Sequence, residues 1–292
     1  TGDWSSDVCS SDLSNKLVDY IVGTGSHPEL ISESGNIVGF LMATKSYTNK
    51  ETDTIWQTVT TSQDPRVVEA VLRMLASVLN LLDYDKLLYL CDKASALPIE
   101  AFTAAMRDHC QRVIGLLIEK ATGDDRTEYL DAPPYELCIR LIRESSMPRS
   151  DAPLGLLDVQ HWATNRLREL VRHGPEAEIR NKIYLASIQD IASRSPTASG
   201  SICALYGLLS QNLATDLRIL TAERDLTKIM IEEVEYTNRP QEPNAVSPNF
   251  SSPARQARRD LLLAIILNEP RSITPDLGER SEERRVGKEC ME

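Results

Sequence analysis

The sequence predicts an all-α protein, and three observations support this fold class. Apolar residues recur at intervals of three and four almost throughout the 292 residues, which is the spacing of one face of a helix. Helix-start signatures, such as a capping residue followed by proline, stand before several of these segments. No segment shows the alternation of apolar and polar residues that is typical of a half-buried strand.

The two ends of the chain differ in kind from the rest. Residues 3–13 match the translation of one strand of a common short-read sequencing adapter, and residues 280–290 match the partner adapter. We therefore expect residues 1–13 and 280–292 to be disordered library sequence that is fused to a gene fragment and takes no part in its fold. The whole chain has 32 basic and 43 acidic residues, and the two ends carry four of the basic and seven of the acidic ones. The remaining segment, 14–279, therefore has 28 basic and 36 acidic residues.

The composition of segment 14–279 restricts the class of protein. Its net charge of −8, compared with −11 for the whole chain, argues against nucleic acid as the main partner, since such proteins carry a dense basic face. No apolar run approaches the roughly 18–20 residues that span a bilayer. The four cysteines of the segment lie in apolar helical runs, namely Cys91, Cys110, Cys138 and Cys203. This pattern favours free thiols in a reducing compartment, the cytosol or the nucleus.

Helix signatures are clearest between residues 48 and 82. Thr48 and Glu51 have the spacing of a capping box, which predicts a helix from there to about Thr61. Asp64 and Pro65 then have the order of an N-cap and a first helical residue. The apolar stripe that follows, at 67, 71, 74, 75, 78 and 82, is widened by three further apolar residues. It predicts a helix covered on two sides.

The second half of the chain continues the helical pattern. Pro98 is predicted to open a long helix that ends near Ala121, followed by a polar loop that Pro133 and Pro134 close. Further helices are predicted at about 135–144, 154–172, 175–193, 201–212, 215–235 and 254–267. Between the second and third of these, Gly174 suits the left-handed position after a helix. So short a connection predicts antiparallel neighbours.

One segment, 236–253, breaks the pattern with four prolines and almost no apolar residue. It is predicted to be a flexible Pro/Ser-rich loop. Ser247 and Ser252 each precede a proline near three arginines, so they are candidate sites of proline-directed phosphorylation. The alternative is that Ser-Pro pairs are ordinary loop composition.

Serial helices with short turns and wide apolar faces predict an α-solenoid, an armadillo- or HEAT-like superhelix of antiparallel helix pairs. The helical repeat region would cover 14–235 and continue over 254–279. The pairs share no sequence motif, and a compact all-α domain is the alternative.

No catalytic or metal constellation emerges from the sequence. His109 and Cys110 are adjacent on a helix, so they point about 100° apart and cannot face each other as base and nucleophile. Asp158 and His161 have the spacing of a solvent-facing contact on a helix. The four histidines lack carboxylates at ligand spacing, and no Gly-rich phosphate loop is present. We therefore expect no catalytic, cofactor-binding or metal-binding residue and no cofactor.

Charged residues cluster on two of the predicted helices, at Arg140, Arg143, Glu144, Arg166, Arg168, Glu169 and Arg172. Mixed charge of this kind favours solvent-exposed faces. The alternative is the inner surface of a superhelix, which binds acidic peptides or a partner domain.

Five segments resemble the large fungal ubiquitin carboxyl-terminal hydrolases, namely 60–70, 97–102, 106–110, 138–145 and 252–263. The similarity covers most of 14–279 and falls in a long helical region that flanks the protease domain of those proteins. The resemblance implies a parent cysteine protease that cleaves isopeptide bonds after the C-terminal glycine of ubiquitin. No cysteine here has the Gly- and Asn-containing context of the family's cysteine box, so no catalytic residue carries over.

The leading hypothesis is thus a non-catalytic helical scaffold fragment of a large deubiquitinating enzyme. Its expected partners are a ubiquitinated substrate, ubiquitin or the parent's own protease domain, with neither nucleic acid nor membrane. The first alternative is a free-standing armadillo- or HEAT-like adaptor without an enzymatic domain. A second is an independent enzyme built on Cys91 or Cys110.

Overall fold

The structure is a computed structural model and describes residues 16–23, 26–123, 130–147, 155–174, 176–209, 213–238 and 252–273. Within these ranges the regular elements are helices, so the all-α prediction is confirmed for them. The terminal segments 1–13 and 280–292 lie outside the described residues. The chain divides into two compact units. The first consists of residues 1–137 and 173–175, and the second consists of residues 138–172 and 176–292.

The first unit contains seven of the described helices: α1 (16–22), α2 (Pro28–Glu33), α3 (Gly35–Ala43), α4 (Asn49–Thr61), α5 (Pro65–Val78), α6 (Tyr84–Ser95) and α7 (Ala104–Gly123). Short 3₁₀ turns follow α5 at Leu79–Leu81 and precede α7 at Ile99–Ala101. The unit boundary falls within α8 (Ala132–Ser145).

The second unit contains α9 (Leu156–Val171), α10 (Ala177–Ala192), α11 (Ala198–Leu209), α12 (Leu213–Glu223), α13 (Leu226–Asn238) and α14 (Ser252–Asn268). A 3₁₀ turn, Pro270–Ser272, follows the last helix.

Helix α5 is the centre of the first unit. It packs against α2, α3, α4 and α7. Val71, Met74 and Leu75 are at most 1% exposed, and burial of such side chains is the main favourable contribution to folding. The prediction that this helix is covered on two sides is confirmed.

The predicted helix starts at 48 and 64 are also confirmed. The backbone N–H of Thr48 donates to Glu51 Oε2 at 2.6 Å, and the N–H of Lys50 donates to Thr48 Oγ1 at 3.2 Å. The Arg66 N–H donates to Asp64 Oδ1 at 2.9 Å, and Pro65 is the first residue of α5. These side chains satisfy backbone donors that a helix N-terminus leaves without a partner.

The prediction of one long helix from Pro98 is wrong. Pro98 opens a 3₁₀ turn, Phe102 leaves the helical region with ψ 58°, and α7 starts only at Ala104. The N–H of Met106 donates to Thr103 Oγ1 at 3.4 Å, so a second cap begins the helix anew. Phe102, at the break, is 2% exposed.

Two further boundaries differ from the predictions. Pro133 and Pro134 do not close a loop, since they lie in the first turn of α8, where a missing N–H breaks no helical hydrogen bond. The segment 215–235 is two helices, α12 and α13, because Asp225 takes a left-handed conformation with φ 53°. Asp is one of the few residues that tolerate this region.

Helix α11 is the centre of the second unit, where α9, α10 and α14 pack on it. Gly200 allows a close approach at its start: a Cβ there would lie 2.6 Å from Arg143 Cα and 2.6 Å from the Ile142 carbonyl oxygen of α8. Gly174 has the predicted left-handed φ, 59°. The prediction that α9 and α10 pack as neighbours is wrong, because each packs mainly on α11 and they make at most a few contacts with each other.

The predicted bounds of the Pro/Ser-rich loop, 236–253, are wrong at both ends. Helix α13 extends to Asn238 and α14 already begins at Ser252. Residues 239–251, which include Ser247, lie outside the described residues.

Candidate interaction surface

An exposed apolar stripe on α14 is the surface feature that stands out in the second unit. Leu263, Ile266 and Leu267 are 47, 51 and 77% exposed. Their spacing of three and four residues places them side by side on one face of the helix. Contiguous exposed apolar side chains of this kind mark contact sites for other surfaces. We call these three residues the α14 stripe.

The opposite face of α14 explains why the stripe points to solvent. Ala254, Ala257 and Leu261 are at most 7% exposed, as are Ala264 and Ile265, which both lie about one turn after Leu261. This face packs on α11 and α12. The stripe therefore lies on the side of α14 that the described residues leave uncovered.

An ion pair holds α14 in this orientation. Arg258 Nη1 lies 3.5 Å from Glu233 Oε1 and donates to Thr237 Oγ1 at 2.8 Å. Glu233 is 6% exposed, and its burial raises the pKa of this carboxyl, an effect that Arg258 opposes. Breaking a largely buried pair leaves one charge uncompensated, so this contact resists rotation of α14 about its axis.

Two carboxylates organise polar contacts elsewhere in the second unit. Asp190 on α10 accepts from Arg143, from Thr197 Oγ1 at 2.8 Å and from Ser201 Oγ at 2.6 Å. Asp216 on α12 accepts from Tyr184 Oη at 2.7 Å, and its carboxylate lies 3.0 Å from Arg180 Nε. Burial and the hydrogen bond to this carboxylate raise the pKa of Tyr184. These contacts join α10 to α8 and to α12, and they satisfy polar groups that would be costly to bury without a hydrogen-bond partner.

The charged residues of α8 and α9 are only in part the solvent face that their pattern predicted. Arg168 and Arg172 are exposed. Arg143, however, is 28% exposed and pairs with Asp190 of another helix. The pairs Arg140 with Glu144 and Arg166 with Glu169 are each local to one helix. Sequence reasoning missed the contact of Arg143, because its partner lies 47 positions away.

His109 and Cys110 are both 2% exposed. Burial raises the pKa of the Cys110 thiol to about 12, and burial together with the nearby Arg112 lowers the pKa of His109 to about 4. A nucleophilic cysteine needs the opposite shift, since the thiolate is the reactive form. Cys91, Cys138 and Cys203 are also buried and form no disulfide, as predicted.

The other candidate residues have simple surroundings. Asp158 and His161 are both exposed on α9, so the predicted solvent-facing position of the two residues is confirmed, whereas a contact between them stays a prediction. No group of three or more potential metal ligands occurs among the residues that the structure describes. Ser252 is the first residue of α14, whereas Ser247 lies outside the described ranges. Within those ranges, no helix has the length and apolar character needed to cross a membrane.

The α14 stripe had a signal in the sequence that periodicity alone did not resolve. Residues 261–267 are apolar at all seven positions, and a run of that length covers more than one face of a helix. Only packing decides which face is buried.

No known protein family, curated protein or solved structure matches this chain.

Proposed function

We propose that this chain is a non-catalytic helical scaffold region of a large deubiquitinating enzyme, and that it holds other parts of the parent polypeptide in place. The observation that carries the proposal is the α14 stripe, three large apolar side chains side by side on a helix that is well anchored on its other face. Each such side chain gains about 1.5–3 kcal/mol when it is fully buried. The stripe therefore favours contact with a further apolar surface.

Helix packing supports an armadillo-like arrangement as part of the proposal. Contacts between helices three apart in the chain recur within the units, as α2 with α5, α10 with α13 and α11 with α14. Recurrence at this interval is expected when repeats of three helices stack. In such an array every repeat covers the apolar face of its neighbour. The α14 stripe would then be the apolar face that the next repeat covers.

The parent is proposed from the resemblance of five segments to the flanking helical region of ubiquitin carboxyl-terminal hydrolases. Two of these segments, 97–102 and 106–110, contribute Phe102, Met106 and Cys110 to the core of the first unit. Such residues suit a structural role, and the buried thiol of Cys110 suits no nucleophilic one. In this proposal the isopeptide chemistry belongs to another domain of the same polypeptide.

Extension of the reading frame in uncontaminated genomic DNA tests the parentage. We expect a protease domain with a cysteine box in the same gene. An extension that shows only further helices would refute the deubiquitinase and identify a free-standing adaptor. Reaction of the purified chain with a ubiquitin-derived activity probe is a second test, and labelling of Cys91 or Cys110 would overturn the non-catalytic assignment.

Substitution of the stripe tests the scaffold role in the extended protein. Leu267→Ser should lower the melting temperature of the extended protein and leave that of the present chain almost unchanged, because only the extension covers the stripe. The matched control is Leu157→Ser on α9, since Leu157 is also exposed, at 52%. Equal effects of the two substitutions in the extended protein would show that the stripe has no such partner.

A further inference from the structure

A pocket in the first unit lies between the end of α1 and one face of α4. Its volume is about 370 Å³, at the lower end of the range for small-ligand pockets. The wall from α4 consists of Thr54, Gln57, Thr58 and Thr61. Gln57, Thr58 and Thr61 lie three, four and seven positions after Thr54, so the four residues share a face. The pocket thus has one polar wall, which is built on a regular helix.

The end of α1 is fixed against this wall. Thr58 Oγ1 donates to the Val22 carbonyl oxygen at 3.0 Å, and Ser26 Oγ donates to the Tyr20 carbonyl oxygen at 3.2 Å. Carbonyl groups at a helix C-terminus lack partners within the helix, and these two hydroxyls supply them. Both hydroxyl hydrogens are therefore donated to carbonyl oxygens of α1 and are not available to a ligand.

Three other polar side chains of the pocket have uncommitted hydrogen-bonding groups. Asp19, Thr54 and Gln57 line it, and their side chains make no hydrogen bond or ion pair with another described residue. Asp19 is the one charged residue among the described residues that line the pocket. The described residues of the lining accordingly offer a carboxylate, an amide oxygen and a hydroxyl oxygen, all hydrogen-bond acceptors, and none of these residues is basic.

We propose that this pocket binds a guanidinium group, supplied by an arginine side chain of a partner protein or by a free arginine-like molecule. The planar guanidinium has five N–H donors and no acceptor, which matches the acceptors of the lining. It pairs with a carboxylate through two parallel hydrogen bonds, here with Asp19. Val22 and Val67 also line the pocket and provide apolar contact for the aliphatic stem of arginine. The site is independent of the parentage proposed above.

Titration calorimetry with a short acetylated, amidated Gly-Arg-Gly peptide tests the proposal, with free arginine amide as a second arm. We expect saturable binding that weakens with salt, and amide NMR signals of Gly23 and Ser62 that shift during the titration. Binding of the peptide alone would assign the site to a protein side chain, and equal binding of arginine amide would assign it to a small molecule.

Asp19→Asn keeps the shape of the side chain and removes its charge, so it should weaken peptide binding by roughly tenfold or more. The matched control is Asp92→Asn, because Asp92 is an exposed aspartate on α6 of the same unit. Replacing arginine by citrulline in the peptide should cost a similar factor. Wild-type affinity in Asp19→Asn, equal binding of the citrulline peptide, tighter binding of a lysine peptide, or no binding of either arginine probe would each overturn the proposal.

Discussion

Acid should destabilise the first unit through His109. This imidazole is 2% exposed, neither of its nitrogens has a hydrogen-bond partner, and its ring packs 6.1 Å from that of Trp56. Burial, aided by the charge of Arg112, lowers its pKa from 6.5 to about 4. The unfolded chain therefore binds a proton between these pH values, whereas the folded chain does not.

The size of the effect follows from proton linkage. Because the folded pKa lies below the unfolded pKa, the free energy of unfolding falls as the pH drops below 6.5 and levels off below about 4. Each unit of pKa difference corresponds to about 1.4 kcal/mol, so His109 alone should remove about 3 kcal/mol over the whole range. Between about pH 7 and about pH 5 the expected loss is about 2 kcal/mol.

Urea unfolding followed by circular dichroism at these two pH values measures this loss. His109→Leu removes the titrating group and its two buried nitrogens, so the loss between the two pH values should shrink by nearly this amount. The control is His161→Gln, which should keep the wild-type pH dependence because His161 is exposed on α9. An unchanged pH dependence in His109→Leu would refute the reasoning, since another group would then be the source.

Three further predictions concern packing and thiol access. Gly200→Ala should lower the free energy of unfolding by about 1–3 kcal/mol in urea titrations, because the new Cβ overlaps α8. Gly115→Ala on α7 is the control, since no atom lies within 4 Å of its new Cβ. It should raise the free energy of unfolding by up to about 1 kcal/mol. Asp190→Asn should lower the free energy of unfolding by about 1–3 kcal/mol, because Asp190 loses its charged hydrogen bond from Arg143. Glu178→Gln, in an exposed ion pair on one helix, should lower it by under about 0.5 kcal/mol. Equal losses would show that the Asp190 contact stabilises the fold no more than an exposed pair does. In segment 14–279, the four buried cysteines should react with a thiol reagent only after denaturation, and fast labelling of the native protein would contradict their burial.

Local chemistry accounts for the parts of the fold that the sequence predicted well. The capping box at Thr48, the Asp64-Pro65 start of α5 and the left-handed Gly174 depend on residues next to one another in the chain. Their hydrogen bonds and backbone preferences act within a few residues. Buried thiols were likewise predictable, because each cysteine lies within an apolar helical run.

Breaks inside apolar stretches were less predictable. The break at Phe102 and the left-handed Asp225 interrupt segments whose helical spacing continues across them. Periodicity records which residues are apolar, and it does not record where the chain must turn so that the next helix can pack. The missed break before α7 follows from this, as does the split of 215–235 into two helices.

The sequence by itself determined that the described chain is helical, where several helices begin, and that its described cysteines are buried. Tertiary structure alone decided that Arg143 pairs with Asp190, that Gly200 lies against α8, which face of 261–267 remains exposed, and that Asp19 shares a pocket with Gln57. The physical reason is range: helix propensity and capping are set by neighbours in the chain. Pairing, burial and pocket formation depend on residues that only packing brings together.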